Sequence, residues 1–310
     1  MAKIATRDAY GKTLAEIVKE DEYVIVLDAD LSGSTKSACA KAVAPEQHYN
    51  MGIAEANMMA TAAGLATCGN VVFASSFAMF ATGRAYEQIR NSIAYPRLNV
   101  KVCASHAGLT VGEDGASHQT VEDISLMRGI PGMVVIQPAD YVETCAAIRA
   151  VYKYDGPCYV RLGRSGVEEI YKEENFKFEI GKGNVLNEGK DVAILATGMM
   201  VQEALKAKEE LNKLGYNPTI VDIHTIKPID KELIVKLAKT HKLFVSAEEH
   251  SIIGGLGSAI AEVLATECPT KLAMVGVNDV FGESGTPEAL CKKYGLTAEA
   301  IVKAVEDNFK

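Results

Sequence analysis

The chain has 310 residues, which is long enough for two domains of ordinary size. Its 48% hydrophobic and 23% charged residues are typical of a soluble globular protein. A formal net charge of −8 argues against a nucleic-acid or anionic-membrane partner. The seven cysteines include no Cys-x-x-Cys pair, so we interpret them as reduced thiols and predict no metal site. We predict neither a signal peptide nor a membrane helix, and therefore a cytoplasmic protein.

Helical and extended patterns alternate along the first half of the chain. Thr6 could cap a first helix, whose apolar residues Tyr10, Leu14, Ile17 and Val18 share one face. Continuous apolar runs predict strands covered on both faces, at 23–27, 71–75, 100–104, 133–136 and 159–162. Helices are predicted at 56–68, within 77–93, at 121–127 and at 139–152. The first of these is apolar nearly all round, which predicts that it is buried.

The same alternation returns after a charged, glycine-dotted stretch. Strands are predicted at 191–197, 219–223, 243–246 and 272–277. One helix is predicted to end at 215, two to span 230–240 and 297–309, and another to begin after 257. Strands alternating with helices indicate α/β domains with doubly wound parallel sheets. We therefore predict a first domain at 1–168, a linker at 169–189 and a second domain at 190–310.

The loop from Ser105 to Gln119 carries an unusual density of groups that can move protons or bind hydroxyls. It contains His106, Asp114 and His118 among three glycines, directly after the strand at 100–104. In open α/β sheets, ligands bind at the carboxyl ends of strands. The alternative is a solvated surface loop, which the density of functional groups disfavours.

Glu55 and a pair of phenylalanines are further candidates. Glu55 begins the predicted buried helix, where a carboxylate is costly unless it is paired or protonated. On position alone, a favourable interaction with the helix dipole is the preferred explanation of this residue. Phe77 and Phe80 could stack on a flat heterocycle, although such pairs are more often part of a hydrophobic core.

Two kinds of anion site are also conceivable. Arg7, Arg161 and Arg164 are candidates for binding a phosphate, although a single surface arginine is more often solvated or weakly paired. The turn at 254–257 lies between a strand and a helix and partly matches the dinucleotide fingerprint. Ile260 replaces its third glycine, so a tight turn for helix–strand packing is the better interpretation. An NAD-linked enzyme remains an alternative.

Taken together, these stretches resemble the C-terminal half of transketolase. The matching motifs are Ala5-Thr-Arg7, Ala29-Asp-Leu-Ser-Gly-Ser34, Gly52-Ile-Ala-Glu55, Ser76-Phe-Ala-Met-Phe80 and, most diagnostic, Gly112-Glu-Asp-Gly-Ala-Ser-His-Gln119. The stretches 222–230 and 248–257 are similar to the C-terminal domain of that family. A full transketolase binds the diphosphate and Mg²⁺ through a Gly-Asp-Gly motif, which this sequence lacks. The chain therefore resembles the second subunit of a split transketolase.

The resemblance implies a fold and a set of roles. The first α/β domain would be a pyrimidine-binding domain of the thiamine-diphosphate type, and the second a transketolase C-terminal domain. Glu55 and His118 would be catalytic, with Glu55 bonded to N1′ of the aminopyrimidine and His118 transferring protons. Phe77, Phe80 and Asp30 would form the cofactor pocket, in which Gly83 replaces an aromatic residue of some members. The substrate-binding residues would be Arg7, Ser34, His106, Asp114, His118 and Arg164.

The implied reaction transfers a two-carbon ketol unit from a ketose phosphate to an aldose phosphate, in the pentose phosphate pathway. An N-terminal partner chain would bind the diphosphate and Mg²⁺, and a dimer of heterodimers would be the active species. The second domain would serve dimer contacts. Three alternatives stay open: a beta subunit of a 2-oxo-acid dehydrogenase, a deoxyxylulose-phosphate synthase-like enzyme, and a catalytically idle assembly partner. The intact loop at 112–119 argues against the dehydrogenase, and the retained polar residues argue against the idle partner.

Overall fold

The computed structural model describes residues 3–309. α-Helices lie at Thr6–Glu20 (α1), Ser32–Thr35 (α2), Ala38–Val43 (α3), Glu55–Thr67 (α4), Tyr86–Gln88 (α5), Asp123–Arg128 (α6), Tyr141–Lys153 (α7), Met200–Lys213 (α8), Lys231–Ala238 (α9), Leu256–Glu267 (α10), Pro287–Tyr294 (α11) and Ala298–Asn308 (α12). Strands lie at Ile4–Ala5 (β1), Val24–Asp28 (β2), His48–Asn50 (β3), Val71–Ser75 (β4), Val100–Ala104 (β5), Val134–Ile136 (β6), Cys158–Arg161 (β7), Gly166–Val167 (β8), Asn184–Asn187 (β9), Val192–Ala196 (β10), Thr219–Asp222 (β11), Thr225–Lys227 (β12), Leu243–Ser251 (β13) and Lys271–Val277 (β14).

The first sheet has seven strands in the order β12-β6-β7-β5-β4-β2-β3, of which all but β12 come from the first half of the chain. Strands β2 to β7 run parallel, and β12 pairs antiparallel with β6 at one edge. Every residue of β5 is buried, because α-helical and π-helical segments cover both faces of the sheet. The carboxyl ends of the parallel strands therefore meet at one edge, where their loops can form a site.

The second half builds a five-stranded sheet in the order β14-β13-β10-β11-β9. Its strands are parallel except for β9, which pairs antiparallel with β11. Strand β9 lies inside the segment predicted as a linker, and β12 of the second half completes the sheet of the first half. The predicted α/β fold with two parallel sheets is confirmed, and the two sheets are more closely joined than a linker implies.

The structure corrects three local predictions. Helix α4 is buried only on the side of Met58 and Met59, while Asn57, Ala60 and Gly64 are exposed. Its exposed face consists of small residues, so the composition gave no sign of a solvent-facing side. Thr6 does not cap α1, because its hydroxyl instead accepts a hydrogen bond from the Gly163 amide at 2.8 Å.

The segment predicted as one helix within 77–93 is interrupted. Two π-helical segments, Met79–Arg84 and Ile89–Ala94, flank the short α5. π-Helical turns are rare and often occur at functional sites. Among residues 3–309, no helix combines the length and the apolar character that a membrane crossing requires.

Candidate active site

Loops from neighbouring parallel strands bring the predicted site residues to one edge of the first sheet. Ser34 follows β2, Glu55 follows β3, Phe77 follows β4, His106 follows β5 and Arg164 follows β7. The sheet order places β4 between β2 and β5, and β7 next to β5. Side chains that are distant in sequence therefore converge, as the sequence predicts.

Arg7 and His106 form the polar end of the site. Nη1 of Arg7 lies 2.9 Å from the Ser34 carbonyl oxygen and 3.1 Å from Nε2 of His106. Because a guanidinium can only donate, Nε2 of His106 is the acceptor, and Nδ1 carries the proton that it donates to Oγ of Ser105 at 2.9 Å. Nε of Arg7 is buried and has no acceptor within residues 3–309. This corner therefore keeps an unused donor for an anion.

The same environment keeps the imidazole of His106 neutral. Burial, followed by the nearby charges of Arg7 and Arg164, lowers the pKa of His106 to about 3. A neutral ring can accept from Arg7 without repelling it. An arriving phosphate would therefore meet two guanidinium groups and a neutral hydrogen-bonding ring.

Arg164 holds the loop that continues from His106. Its Nη1 donates to the Val111 carbonyl oxygen and lies 3.1 Å from the Glu113 carboxylate. Asp114, one residue further along, is exposed on the same loop. The structure thus places Arg164 and Asp114 at the outer side of the site.

Asp30 lies on the turn after β2 and is also exposed. Its backbone has a φ of 63°, and its Oδ1 accepts from Nδ2 of Asn50 at 2.9 Å. The Asp30 amide in turn donates to Oδ1 of Asn50 at 3.1 Å. Sequence reasoning missed Asn50, which fixes this turn at the end of the neighbouring strand β3.

An aromatic wall connects the polar end to the interior of the site. The Phe77 ring stacks on the His106 ring with centroids 3.8 Å apart, and the Phe80 ring lies 6.1 Å beyond. The His118 ring meets Phe80 edge-on at 5.1 Å and Phe77 at 6.3 Å. Nδ1 of His118 is 3.0 Å from Oγ of Ser117.

Glu55 lies at the inner end of this wall. Its side chain is 1% exposed, and its Oε2 accepts from Nη1 of Arg84 at 2.9 Å. The Arg84 guanidinium also lies 4.5 Å from the Phe80 ring centroid, in a cation–π contact. Sequence reasoning missed Arg84, because nothing in the local pattern distinguishes it from a surface arginine. The contacts therefore run without a break from Arg7 to Glu55.

The aromatic wall and the buried Glu55 have the chemistry for a flat heterocycle, and a cavity borders the Phe80 end of the wall. A cavity of about 430 Å³ borders Phe80, Arg84 and Ser117 on one side and Phe281 of the second half on the other. Aromatic faces with a buried carboxylate suit a planar ring that carries polar nitrogens. Within residues 3–309, no cluster of three or more His, Cys, Asp or Glu side chains could hold a metal ion.

The structure excludes two of the weaker candidates and leaves the alternatives that the sequence favoured. Arg161 is buried in the interior and binds Asp123 through Nε at 2.7 Å and Nη2 at 3.1 Å, so it is not available to a phosphate. At the 254–257 turn, the Glu248 carboxylate accepts from the amides of Leu256 and Gly257 at 2.7 and 2.8 Å. A carboxylate already occupies the helix N-terminus, which excludes a pyrophosphate there.

Comparison with known proteins agrees with this geometry. Residues 2–169 match the transketolase pyrimidine-binding domain, and residues 181–301 match the transketolase C-terminal domain. The chain is 54% identical to a putative transketolase C-terminal section of Methanocaldococcus jannaschii, over 98% of this chain and 96% of the relative. It is 44% identical to the 6-deoxy-6-sulfo-D-fructose transketolase subunit SqwH of a Clostridium species, over 97% and 93%.

Human transketolase is 37% identical over 98% of this chain, which spans 49% of the human protein. A solved structure described as a split gene transketolase, inactive beta4 tetramer, superimposes with a TM-score of 0.92 at 54% identity. That match covers 99% of this chain and 98% of the solved one. The chain therefore belongs to the transketolase family, as a C-terminal subunit of its split form.

Proposed function

We propose that this chain and an N-terminal partner chain together form a transketolase that moves a two-carbon ketol unit from a ketose phosphate to an aldose phosphate. The observation that carries the proposal is the unbroken line of contacts from Arg7, through His106, Phe77 and Phe80, to Arg84 and Glu55. One end of the line suits a phosphate, and the other suits an activated heterocycle. The pentose phosphate pathway is the proposed setting.

The partner chain would supply the Gly-Asp-Gly motif and thereby the ligands for the diphosphate and Mg²⁺. The name of the Methanocaldococcus relative, a C-terminal section, supports a separate N-terminal chain. Ile53 is 77% exposed two residues before Glu55, and Phe281 is 87% exposed beside the cavity. Covering such side chains with a second protein surface would be favourable. We propose a dimer of heterodimers as the active assembly.

Each residue of this chain has a task in the proposed reaction. Thiamine diphosphate, when bound, supplies the carbanion chemistry that breaks a carbon–carbon bond beside a carbonyl. Glu55 would hold N1′ of the aminopyrimidine, and Phe77, Phe80 and Asp30 would shape its pocket. The Glu55 carboxylate would then interact with both the Arg84 guanidinium and the aminopyrimidine ring.

Substrate handling falls to the residues of the outer end. Arg7, Ser34, His106 and Arg164 would bind the sugar phosphate, and Asp114 a sugar hydroxyl. Ser117 contacts Nδ1 of His118, so Nε2 is the nitrogen that would exchange a proton with a substrate hydroxyl. Fixing the phosphate at one end orients the reacting carbons at the other.

A related chemistry is the second candidate. The chain is 35% identical to a 1-deoxy-D-xylulose-5-phosphate synthase of Caldanaerobacter subterraneus, over 98% of this chain and 49% of the relative. That relationship keeps a synthase-like reaction open. Release of carbon dioxide from pyruvate by the reconstituted pair would favour the synthase or a 2-oxo-acid dehydrogenase over a transketolase.

The decisive experiment mixes the two chains with thiamine diphosphate, Mg²⁺, xylulose 5-phosphate and ribose 5-phosphate, and measures the seven-carbon product. We expect product only when both chains are present. Glu55→Gln should lower kcat by about 100-fold, the scale of a lost proton-transfer group. Glu87→Gln, on the exposed side of α5, is the matched control and should leave kcat unchanged. Full activity of the isolated chain, or of the Glu55→Gln pair, would contradict the proposal.

A further inference from the structure

The loop that carries His106 and His118 is anchored in the second half of the molecule. Leu109 is fully buried in the hydrophobic cluster of the second sheet, together with Val277 and Leu290. The 3₁₀ turn Leu109–Val111 packs against α11 of the same half. The loop thus leaves the first sheet, inserts a side chain into the second core and returns.

Glu249 is the polar anchor of this insertion. It lies in β13, is buried, and its Oε1 accepts a hydrogen bond from the Thr110 amide at 2.7 Å. Gly108 has a φ of 81°, and a Cβ at this position would overlap the Glu249 carboxylate. The Glu249 backbone is itself fixed, because Nη2 of Arg161 donates to its carbonyl oxygen at 3.0 Å.

The far end of the loop is held in a similar way. Nε2 of Gln119 donates to the Glu283 carbonyl oxygen at 2.9 Å, and Oγ of Ser284 donates to the Glu113 carbonyl oxygen at 2.6 Å. A Cβ at Gly282 would overlap the Gln119 side chain. Both ends of the loop therefore depend on the second half of the chain for their positions.

We infer that Glu249 is a positioning residue, which holds the loop so that His106 and His118 stay in contact with the aromatic wall. The Glu249 side chain satisfies a buried amide, and loss of this hydrogen bond leaves an unsatisfied N–H. Displacement of a substrate-binding group by about 1 Å is enough to weaken catalysis strongly. The effect on catalysis rests on the proposed function, whereas the effect on loop order does not.

The test compares Glu249→Ala with Glu249→Gln, which keeps a carbonyl oxygen for the Thr110 amide. Hydrogen exchange of residues 107–120 is measured on the full chain, and KM and kcat for the sugar phosphates on the reconstituted pair. We expect Glu249→Ala to raise both the exchange rate and KM by about ten-fold, the factor that corresponds to about 1.4 kcal/mol. Glu249→Gln should stay within about two-fold of the wild type for both quantities.

Glu248→Ala is the matched control for Glu249→Ala. Glu248 is the neighbouring residue, equally buried, but its carboxylate binds amides of its own half, at Leu256 and Gly257. In this control variant, we expect hydrogen exchange to become faster only in the 254–258 turn. If Glu249→Ala does not fold, Gly108→Ala is used instead, because its Cβ would overlap the Glu249 carboxylate. We expect the same rise in KM and in the hydrogen-exchange rate of the loop.

The possible outcomes distinguish the positioning role of Glu249 from the proposed transketolase function. Wild-type loop exchange in Glu249→Ala, or in Gly108→Ala, would overturn the positioning role whatever the enzyme does. A rise in KM that is as large for Glu249→Gln as for Glu249→Ala would also overturn it, because the shared hydrogen bond would then be irrelevant. Failure of the wild-type pair to transfer two carbons would refute the proposed function and leave the exchange experiment to decide on Glu249.

Discussion

The ion pair between Glu55 and Arg84 makes a quantitative prediction about folding. Arg84→Met removes the cation and leaves a carboxylate that is 1% exposed. The structure shows Nη1 of Arg84 at 2.9 Å from Oε2 of Glu55, with the arginine side chain 51% exposed. The pair is therefore neither fully buried nor at the surface.

The expected coupling lies between those two limits. Exposed pairs couple by about 0.2–1 kcal/mol, and removing one partner of a fully buried pair costs about 3–5 kcal/mol. Since Glu55 is buried while Arg84 is half in solvent, we expect a coupling free energy of about 2 kcal/mol. Glu55→Gln should remove most of the penalty of Arg84→Met, because no charge is then left unpaired.

The assay is a double-mutant cycle by urea denaturation of wild type, Glu55→Gln, Arg84→Met and the double variant. A second cycle on Lys213 and Glu210 is the control, since this pair has a similar spacing of 2.8 Å but both side chains are exposed. We expect the control coupling to stay below about 1 kcal/mol. A Glu55–Arg84 coupling no larger than the control would refute the reasoning.

Three further predictions concern substrate binding, pH and packing. Arg7→Met should raise the KM for the ketose phosphate about ten- to hundred-fold with little change in kcat, measured by steady-state kinetics; an unchanged KM would contradict the phosphate assignment. Burial raises the pKa of the neighbouring carboxyls Glu143 and Asp222, that of Asp222 to about 7. The folded pair therefore keeps a proton that the unfolded chain releases, and this contribution to stability is lost as the pH rises through the folded pKa. The gain in unfolding free energy of Asp222→Asn over wild type should therefore be larger at pH 8 than at pH 5 in urea denaturation, and equal gains would disprove it. Gly282→Ala should lower the free energy of unfolding, measured by thermal denaturation, by about 1–3 kcal/mol, because its Cβ would overlap Gln119. Gly64→Ala, in open space on α4, should not lower it, and equal effects of the two substitutions would argue against close packing at Gly282.

Most strands could be predicted because a buried parallel strand is a continuous apolar run. Strands β9 and β12 escape this rule, since each lies at a sheet edge and shows no such run. Edge pairing is decided by distant backbone groups, which a local pattern does not contain. Helix α11 could have been found, because Thr286 followed by Pro287 is a typical helix start, and the structure shows Thr286 capping the Ala289 amide.

The site residues were found through motifs, and their partners were not. Arg84, Asn50 and Glu249 act through contacts with residues far away in sequence, so only the folded chain identifies them. The burial of Arg161 had a local signal, because an arginine inside the apolar run at 159–162 is more consistent with a buried pair than with a surface ligand.

Strand β12 has a practical consequence for anyone who divides this protein. In the chain it follows three strands of the second sheet, yet it pairs with β6 and covers that edge of the first sheet. A truncated protein that stops near residue 168 would leave the β6 edge open, and bare edges recruit other strands and aggregate. The two halves should therefore be expressed, mutated and crystallised as one piece.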